Sequence, residues 1–113
     1  MTKKVKNIAV LTSGGDAPGM NAAIRAVVRA CSYYKVRCFG VFKGYEGLIN
    51  NEMEELNARS VRNIINKGGT FLKSARSKNF RTIQGRQKAY NNLVKNHIDA
   101  LVVIGGDGTL QEL

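Results

Sequence analysis

The chain has 113 residues, with hydrophobic residues making up 43% of it and a formal net charge of +10. That length suits one small domain, and that composition affords a packed core and excludes an intrinsically disordered chain. No apolar run approaches membrane-spanning length, and the start (MTKKVKNIAVL) has too short an apolar stretch and no cleavage-like site for a signal peptide.

The predicted elements begin with Asn7 to Thr12 (NIAVLT), a short apolar run with β-branched residues and therefore a strand. The loop SGGDAPG follows, and Pro18 suits the first turn of a helix, where its missing N–H costs nothing. Met20, Ile24, Val27 and Cys31 recur at helical spacing, which predicts a helix to about Tyr34. Val36 to Phe42 reads as a second strand, and Lys43 to Asn51, containing GYEG, as a loop. Ser60 is placed to cap a helix through Val61, Ile64 and Ile65 that Gly68 and Gly69 close. A basic loop spans Thr70 to Arg81. Gln84 to His97 is predicted helical, with Ala89, Tyr90, Leu93 and Val94 facing inward and the lone His97 near the helix end, where it favours the dipole. Asp99 to Ile104 is a near-continuous apolar strand, and Thr109 with Glu112 forms a capping box that opens a further helix.

Continuous apolar strands alternating with helices predict an α/β fold: a parallel sheet flanked by helices, Rossmann-like and three-layered. Ligands of such sheets bind beyond the carboxyl ends of the strands. Both glycine-rich loops, Gly14–Gly19 and Gly105–Gly108, follow strands, so both are expected at that edge. Glycines let backbone N–H groups approach an anion, and a following helix N-terminus adds partial positive charge, so phosphate is the natural guest. A tight turn between strand and helix is the plainer alternative for either loop alone.

Two standard phosphate loops are excluded. Gly14 and Gly19 have P-loop spacing, but Met20-Asn21 stands where Lys-Ser/Thr is required. The adjacent Gly14 and Gly15 break the dinucleotide fingerprint GxGxxG. Asp107 lies between glycines at a strand end. Its carboxylate repels a bare phosphate but makes sense holding Mg²⁺, with the metal bridging phosphates. Arg76, in SARS, can grip phosphate oxygens with its planar fork, or can equally be a solvated surface arginine. Arg25 and Arg29 share one helix face away from the apolar stripe and read as a solvated basic face.

The net charge comes from 18 basic and 8 acidic residues spread along the chain, with no Trp. It leaves nucleic acid open without favouring it. Cys31 and Cys38 have neither metal-type nor CxxC spacing, and two scattered cysteines without an export signal suggest a reducing cytoplasm.

Four stretches together resemble bacterial-type 6-phosphofructokinases: Leu11 to Arg25 (LTSGGDAPGMNAAIR), Gly44 to Leu48 (GYEGL), Gly68-Gly69-Thr70 with Ser74-Ala75-Arg76, and Val102 to Thr109 (VVIGGDGT). The resemblance runs from about Lys6 to Thr109 in one register. Its SGGDAPGMNAAIR opening is specific, whereas GGDGT also occurs in nicotinamide-dinucleotide and lipid kinases. The resemblance implies the N-terminal part of the phosphofructokinase fold and transfer of the γ-phosphoryl of ATP to the 1-hydroxyl of fructose 6-phosphate, a step of glycolysis. It implies nucleotide contacts at Gly15, Tyr45, Arg76, Ser77, Gly106, Asp107, Gly108 and Thr109, with Asp107 serving Mg²⁺. Gly108 favours ATP, because pyrophosphate-using relatives usually carry Asp there. Arg25 and Arg29 match residues that bind an allosteric effector at a subunit interface, and Arg59 is the expected basic contact from the neighbouring subunit. A cytoplasmic homo-oligomer, a tetramer for the parent protein, is implied, with no membrane or nucleic-acid partner. The family's catalytic-base loop and second domain are expected beyond Leu113, so residues 1–113 read as a truncated N-terminal part, inactive alone. The alternatives are a stand-alone nucleotide-binding or regulatory module and another GGDG-type kinase.

Overall fold

The computed structural model describes residues 5–13, 19–62, 64, 71–73 and 79–105. Four strands form one sheet in the order β3-β2-β1-β4: β1 Asn7–Ser13, β2 Arg37–Val41, β3 Met53–Leu56 and β4 Ala100–Gly105. The helices are α1 Met20–Tyr33, α2 Gly44–Ile49 and α3 Ile83–Lys95, with a 3₁₀ turn at Asn79–Arg81. The predicted first, second and last strands and both long helices are present to within a residue or two.

Alternation along the strands makes two cores. Val10, Cys38 and Leu56 face α1, where Ile24, Val28 and Cys31 meet them, joined by Val61, Ile64 and Leu72. Ala9, Leu11 and Val41 face the opposite way, onto Tyr45, Leu48 and Ile49 of α2, Phe80 and Ala89 of α3. The sheet is therefore the middle of three layers, as its apolar strands require. Full burial of one large aliphatic side chain contributes about 1.5–3 kcal/mol, and Leu11, Ile24 and Leu48 are all at or below 1% exposure.

Four expectations are corrected. The sheet is mixed rather than purely parallel: β1 pairs in parallel with β2 and β4, while β3 runs antiparallel to β2. The loop expected over Lys43–Asn51 contains α2, which opens after Lys43 in a left-handed conformation at φ 66°. Gly47 is required there, because a Cβ would collide with the carbonyl oxygen of Phe42. Residues 58–62 are turns rather than the start of a helix, and Ser60 Oγ accepts from the Asn57 N–H. Of the residues expected inward on α3, Ala89 is buried and Leu93 packs against the second core, but Tyr90 and Val94 are 62% and 55% exposed, and Gly85 is buried. The capping box at Thr109 lies outside the described residues.

Candidate functional site at the carboxyl edge

From β1 the chain crosses one face through α1 to reach β2. It returns across the other face through α3 to reach β4, on the opposite side of β1. The carboxyl ends of β1 and β4 therefore flank a topological switch point, the place where open α/β sheets hold ligands. The register puts Ser13, the last residue of β1, beside Gly105, the last of β4. Each of these residues leads directly into one of the glycine-rich loops.

The described residues on either side of those loops are shaped for a close approach. Gly19 precedes α1 at φ 92° and Gly105 ends β4 at φ 79°, both in the left-handed region that glycine adopts without strain. A Cβ on Gly105 would also strike Met20 Cε and come to 3.0 Å from Ser13 O, so glycine lets the start of α1 sit against the end of β4. The helix begins without a side-chain cap on Gly19 and without an acidic residue in its first turn. The positive dipole end of α1 therefore points toward the carboxyl edge unneutralised by an acidic residue in its first turn.

Four further anchors converge on this edge. Thr12, fully buried, donates from Oγ1 to Lys73 O at 3.1 Å, which fixes the residue entering the SARS segment to the end of β1. Asn21, on the first turn of α1, donates from Nδ2 to Ile64 O at 2.9 Å and accepts from Phe71 N–H at 2.6 Å. Phe80, leaving that segment, stacks on Tyr45 with ring centroids 4.2 Å apart and planes 22° apart. Lys43, before Tyr45, donates its backbone N–H to Leu72 O at 3.0 Å. Sequence reasoning missed Thr12, Asn21 and Phe80. Their signal was weak: polar or aromatic residues beside loops, whose partners lie 50 or 61 residues away for Asn21 and Thr12.

Of the predicted nucleotide residues, Tyr45 is described: it sits on α2 beyond the end of β2, 5% exposed. Gly15, Arg76, Ser77, Gly106, Asp107, Gly108 and Thr109 lie outside the described residues. Arg25 and Arg29 are on α1, Arg25 half-buried and Arg29 exposed, and Arg59 is exposed in the turn after β3. Arg25 Nε is fully buried and has no hydrogen-bond partner among the described residues. His97 has no place at this edge; at φ 59° it ends α3, its N–H donating to Val94 O at 3.0 Å. A groove of about 500 Å³ lined by Tyr90, Leu93, Val94 and His97–Leu101 lies along α3 and the start of β4, away from the carboxyl edge. Among the described residues no three His, Cys, Asp or Glu side chains cluster as a metal site, and no helix is long and apolar enough to cross a membrane.

Fold and site together define an α/β protein with helices on both faces of its sheet and two glycine-rich loops that leave adjacent strand ends. The phosphofructokinase family model matches residues 7–113, and the chain belongs to that family. It is 58% identical over 106 residues to ATP-dependent 6-phosphofructokinase 2 of Bacteroides thetaiotaomicron, covering 94% of this chain and 32% of that protein. It is 55% identical over 105 residues to ATP-dependent 6-phosphofructokinase of Bacillus pumilus, covering 93% of this chain and 33% of that protein. The chain thus spans about a third of the length of the curated relatives it matches. Among solved structures, T-state Pichia pastoris phosphofructokinase superposes with a TM-score of 0.89 at 47% identity, over 99% of this chain and 12% of that one. A pyrophosphate-dependent phosphofructokinase from Marinobacter aquaeolei shares the fold, with a TM-score of 0.76 at 18% identity. Membership of this family sets aside the dinucleotide and lipid kinases that share only GGDG.

Proposed function

We propose that this chain forms the nucleotide side of an ATP-dependent 6-phosphofructokinase, which moves the γ-phosphoryl of ATP to the 1-hydroxyl of fructose 6-phosphate. The observation that carries this reading is the Ser13–Gly105 pairing, which starts both glycine-rich loops side by side at the switch point. Backbone N–H groups at Gly15, Gly106, Gly108 and Thr109 hold phosphate oxygens, and Tyr45, Arg76 and Ser77 complete the nucleotide contacts. Arg76 neutralises charge as the bonds to phosphorus rearrange. A lone carboxylate between glycines suits Mg²⁺, which takes one or two protein carboxylates and fills its shell with phosphate and water oxygens. Asp107 is the residue that would hold it, and the ion would supply charge neutralisation across the phosphates. Gly108 leaves room for a nucleoside triphosphate in preference to pyrophosphate.

Arg25, Arg29 and Arg59 are proposed to bind a phosphorylated or nucleotide effector between subunits of a cytoplasmic tetramer. The buried, unpartnered Nε of Arg25 supports this, since a buried donor without an acceptor costs about 1–3 kcal/mol until something accepts from it.

The test is Asp107→Ala in a full-length phosphofructokinase carrying this segment. Turnover is expected to fall about 10²–10³-fold while KM for ATP moves only a few-fold, because charge stabilisation is lost mainly in the transition state. Unchanged turnover would remove Asp107 from the metal site. For the chain itself, a fluorescent ATP analogue should bind more tightly with Mg²⁺ than with EDTA. Equal binding in both, or stronger salt-dependent binding to duplex DNA, would defeat the nucleotide reading.

A further inference from the structure

Among the described residues, Thr12 and Asn21 are the buried polar side chains, at 0% and 8% exposure. Both bond to the same short stretch of backbone. Asn21 Oδ1 accepts from the Phe71 N–H at 2.6 Å, while its Nδ2 donates to Ile64 O at 2.9 Å. Thr12 Oγ1 donates to Lys73 O at 3.1 Å. Between them, Leu72 O accepts from the Lys43 N–H at 3.0 Å, and the Leu72 side chain is fully buried. Phe71, Leu72 and Lys73 are thus tied in succession to the first turn of α1, to the residue before α2 and to the end of β1. All three ties are made at the carboxyl edge of the sheet.

Apolar residues of similar size would fill both polar positions. A buried hydroxyl or amide is unfavourable unless it is bonded. Once bonded, it fixes a geometry that apolar packing leaves free. Lys73 carries the sign of such fixing: it holds φ 59°, a left-handed conformation that a lysine keeps where its surroundings determine it. The chain therefore leaves Lys73 in one set direction.

We propose that Thr12 and Asn21 are positioning residues for phosphoryl transfer. They hold Phe71, Leu72 and Lys73 as a fixed platform, from which the following SARS segment presents Arg76 to the phosphates. This rests on the nucleotide site proposed above and adds the residues that aim its arginine. Neither side chain touches substrate. Thr12 lies just before the first glycine-rich loop and Asn21 just after it, so the platform shares one frame with that loop. Phosphoryl transfer depends on placement, and a displacement on the order of 1 Å lowers the rate by up to about 10²-fold.

The experiment is a double-mutant cycle in a full-length phosphofructokinase carrying this segment, read as kcat and KM per folded protein, with folding followed by circular dichroism. Thr12→Val keeps the side-chain volume and removes the hydroxyl. It is expected to lower kcat about tenfold with KM for ATP within about twofold of wild type, and Thr12→Ser is expected to restore kcat. Arg76→Ala should lower kcat further, and adding Thr12→Val to it should change nothing more, because Thr12 acts through Arg76. Asn21→Ala should follow the same pattern, and Thr12→Val decides the matter should Asn21→Ala not fold. A merely structural role would lower the folded fraction and leave kcat per folded protein unchanged. Unchanged kcat in Thr12→Val, or losses that multiply with that of Arg76→Ala, would overturn the positioning role and leave the kinase reading standing. Unchanged turnover in Arg76→Ala would instead remove that arginine from the kinase reading, and the positioning role would fall with it.

Discussion

The two ends of the same sheet are built by opposite means. At the amino end, side chains close off the backbone. Asp99 accepts from Lys6 N–H at 2.8 Å and Asn7 N–H at 3.0 Å, and Asn7 Nδ2 donates to His97 O at 2.8 Å. Arg37 lies over the Phe39 ring at 5.2 Å and donates to both carboxylate oxygens of Glu55. At the carboxyl end, glycines at φ 92° and 79° take the place of capping side chains. An edge whose polar groups are satisfied from within has nothing to offer a ligand. An edge lined by glycines keeps its backbone open to close approach. The difference sets a structural end against the candidate functional end.

Replacing a glycine tests the functional end most severely. Gly105→Ala combines a left-handed φ with collision against Met20 and Ser13, so a stability loss of about 2–4 kcal/mol is expected by denaturant unfolding. Gly19→Ala has a similar φ but nothing within 4 Å of the new Cβ, so only the conformational cost of about 1 kcal/mol is expected. Equal losses at the two positions would mean that the close packing of α1 on β4 is not what requires Gly105.

The structural end should yield less. Asp99→Ala removes one acceptor from two backbone N–H groups that water can reach, with an expected loss of about 1 kcal/mol in the same measurement. A loss larger than that of Gly105→Ala would reverse the contrast between the two ends.

What the sequence made legible follows the same division. β1, β2, β4, α1 and α3 announce themselves through apolar runs or helical spacing, because each buries a face. β3 does not: Glu54 and Glu55 are exposed on a four-residue strand whose sheet position depends on pairing with β2. α2 is six residues with two glycines, below the length at which periodicity can speak, and it forms because Tyr45, Leu48 and Ile49 find the second core. Of the inward stripe read on α3, Ala89 and Leu93 hold, while Gly85 turns the packed face so that Tyr90 and Val94 stand exposed. At the candidate site, the glycine-rich stretches follow the adjacent ends of β1 and β4, where Ser13 pairs with Gly105. The Thr12–Lys73, Asn21–Phe71 and Tyr45–Phe80 contacts were hidden because each joins residues far apart in the chain.

The smallest effect belongs to the Arg37–Glu55 pair, 2.9 Å apart with both side chains roughly half exposed. Hydrogen bonding to Arg37 holds the Glu55 carboxyl below its ordinary value. A carboxyl depressed in the folded state contributes stability above its unfolded value, and that contribution is lost as the pH falls through the folded one. Arg37 stays charged throughout this range. Wild-type protein and Glu55→Gln should therefore differ in Tm by no more than about 3 °C near neutrality. The difference should fade as the pH drops through the depressed folded value of Glu55, and at 1 M salt, where the Debye length of about 3 Å screens an exposed pair. A difference that survived both treatments would show that Glu55 acts through packing on β3 rather than through its charge. The amino end of the sheet would then owe its closure to shape, and the electrostatic half of the contrast would fall.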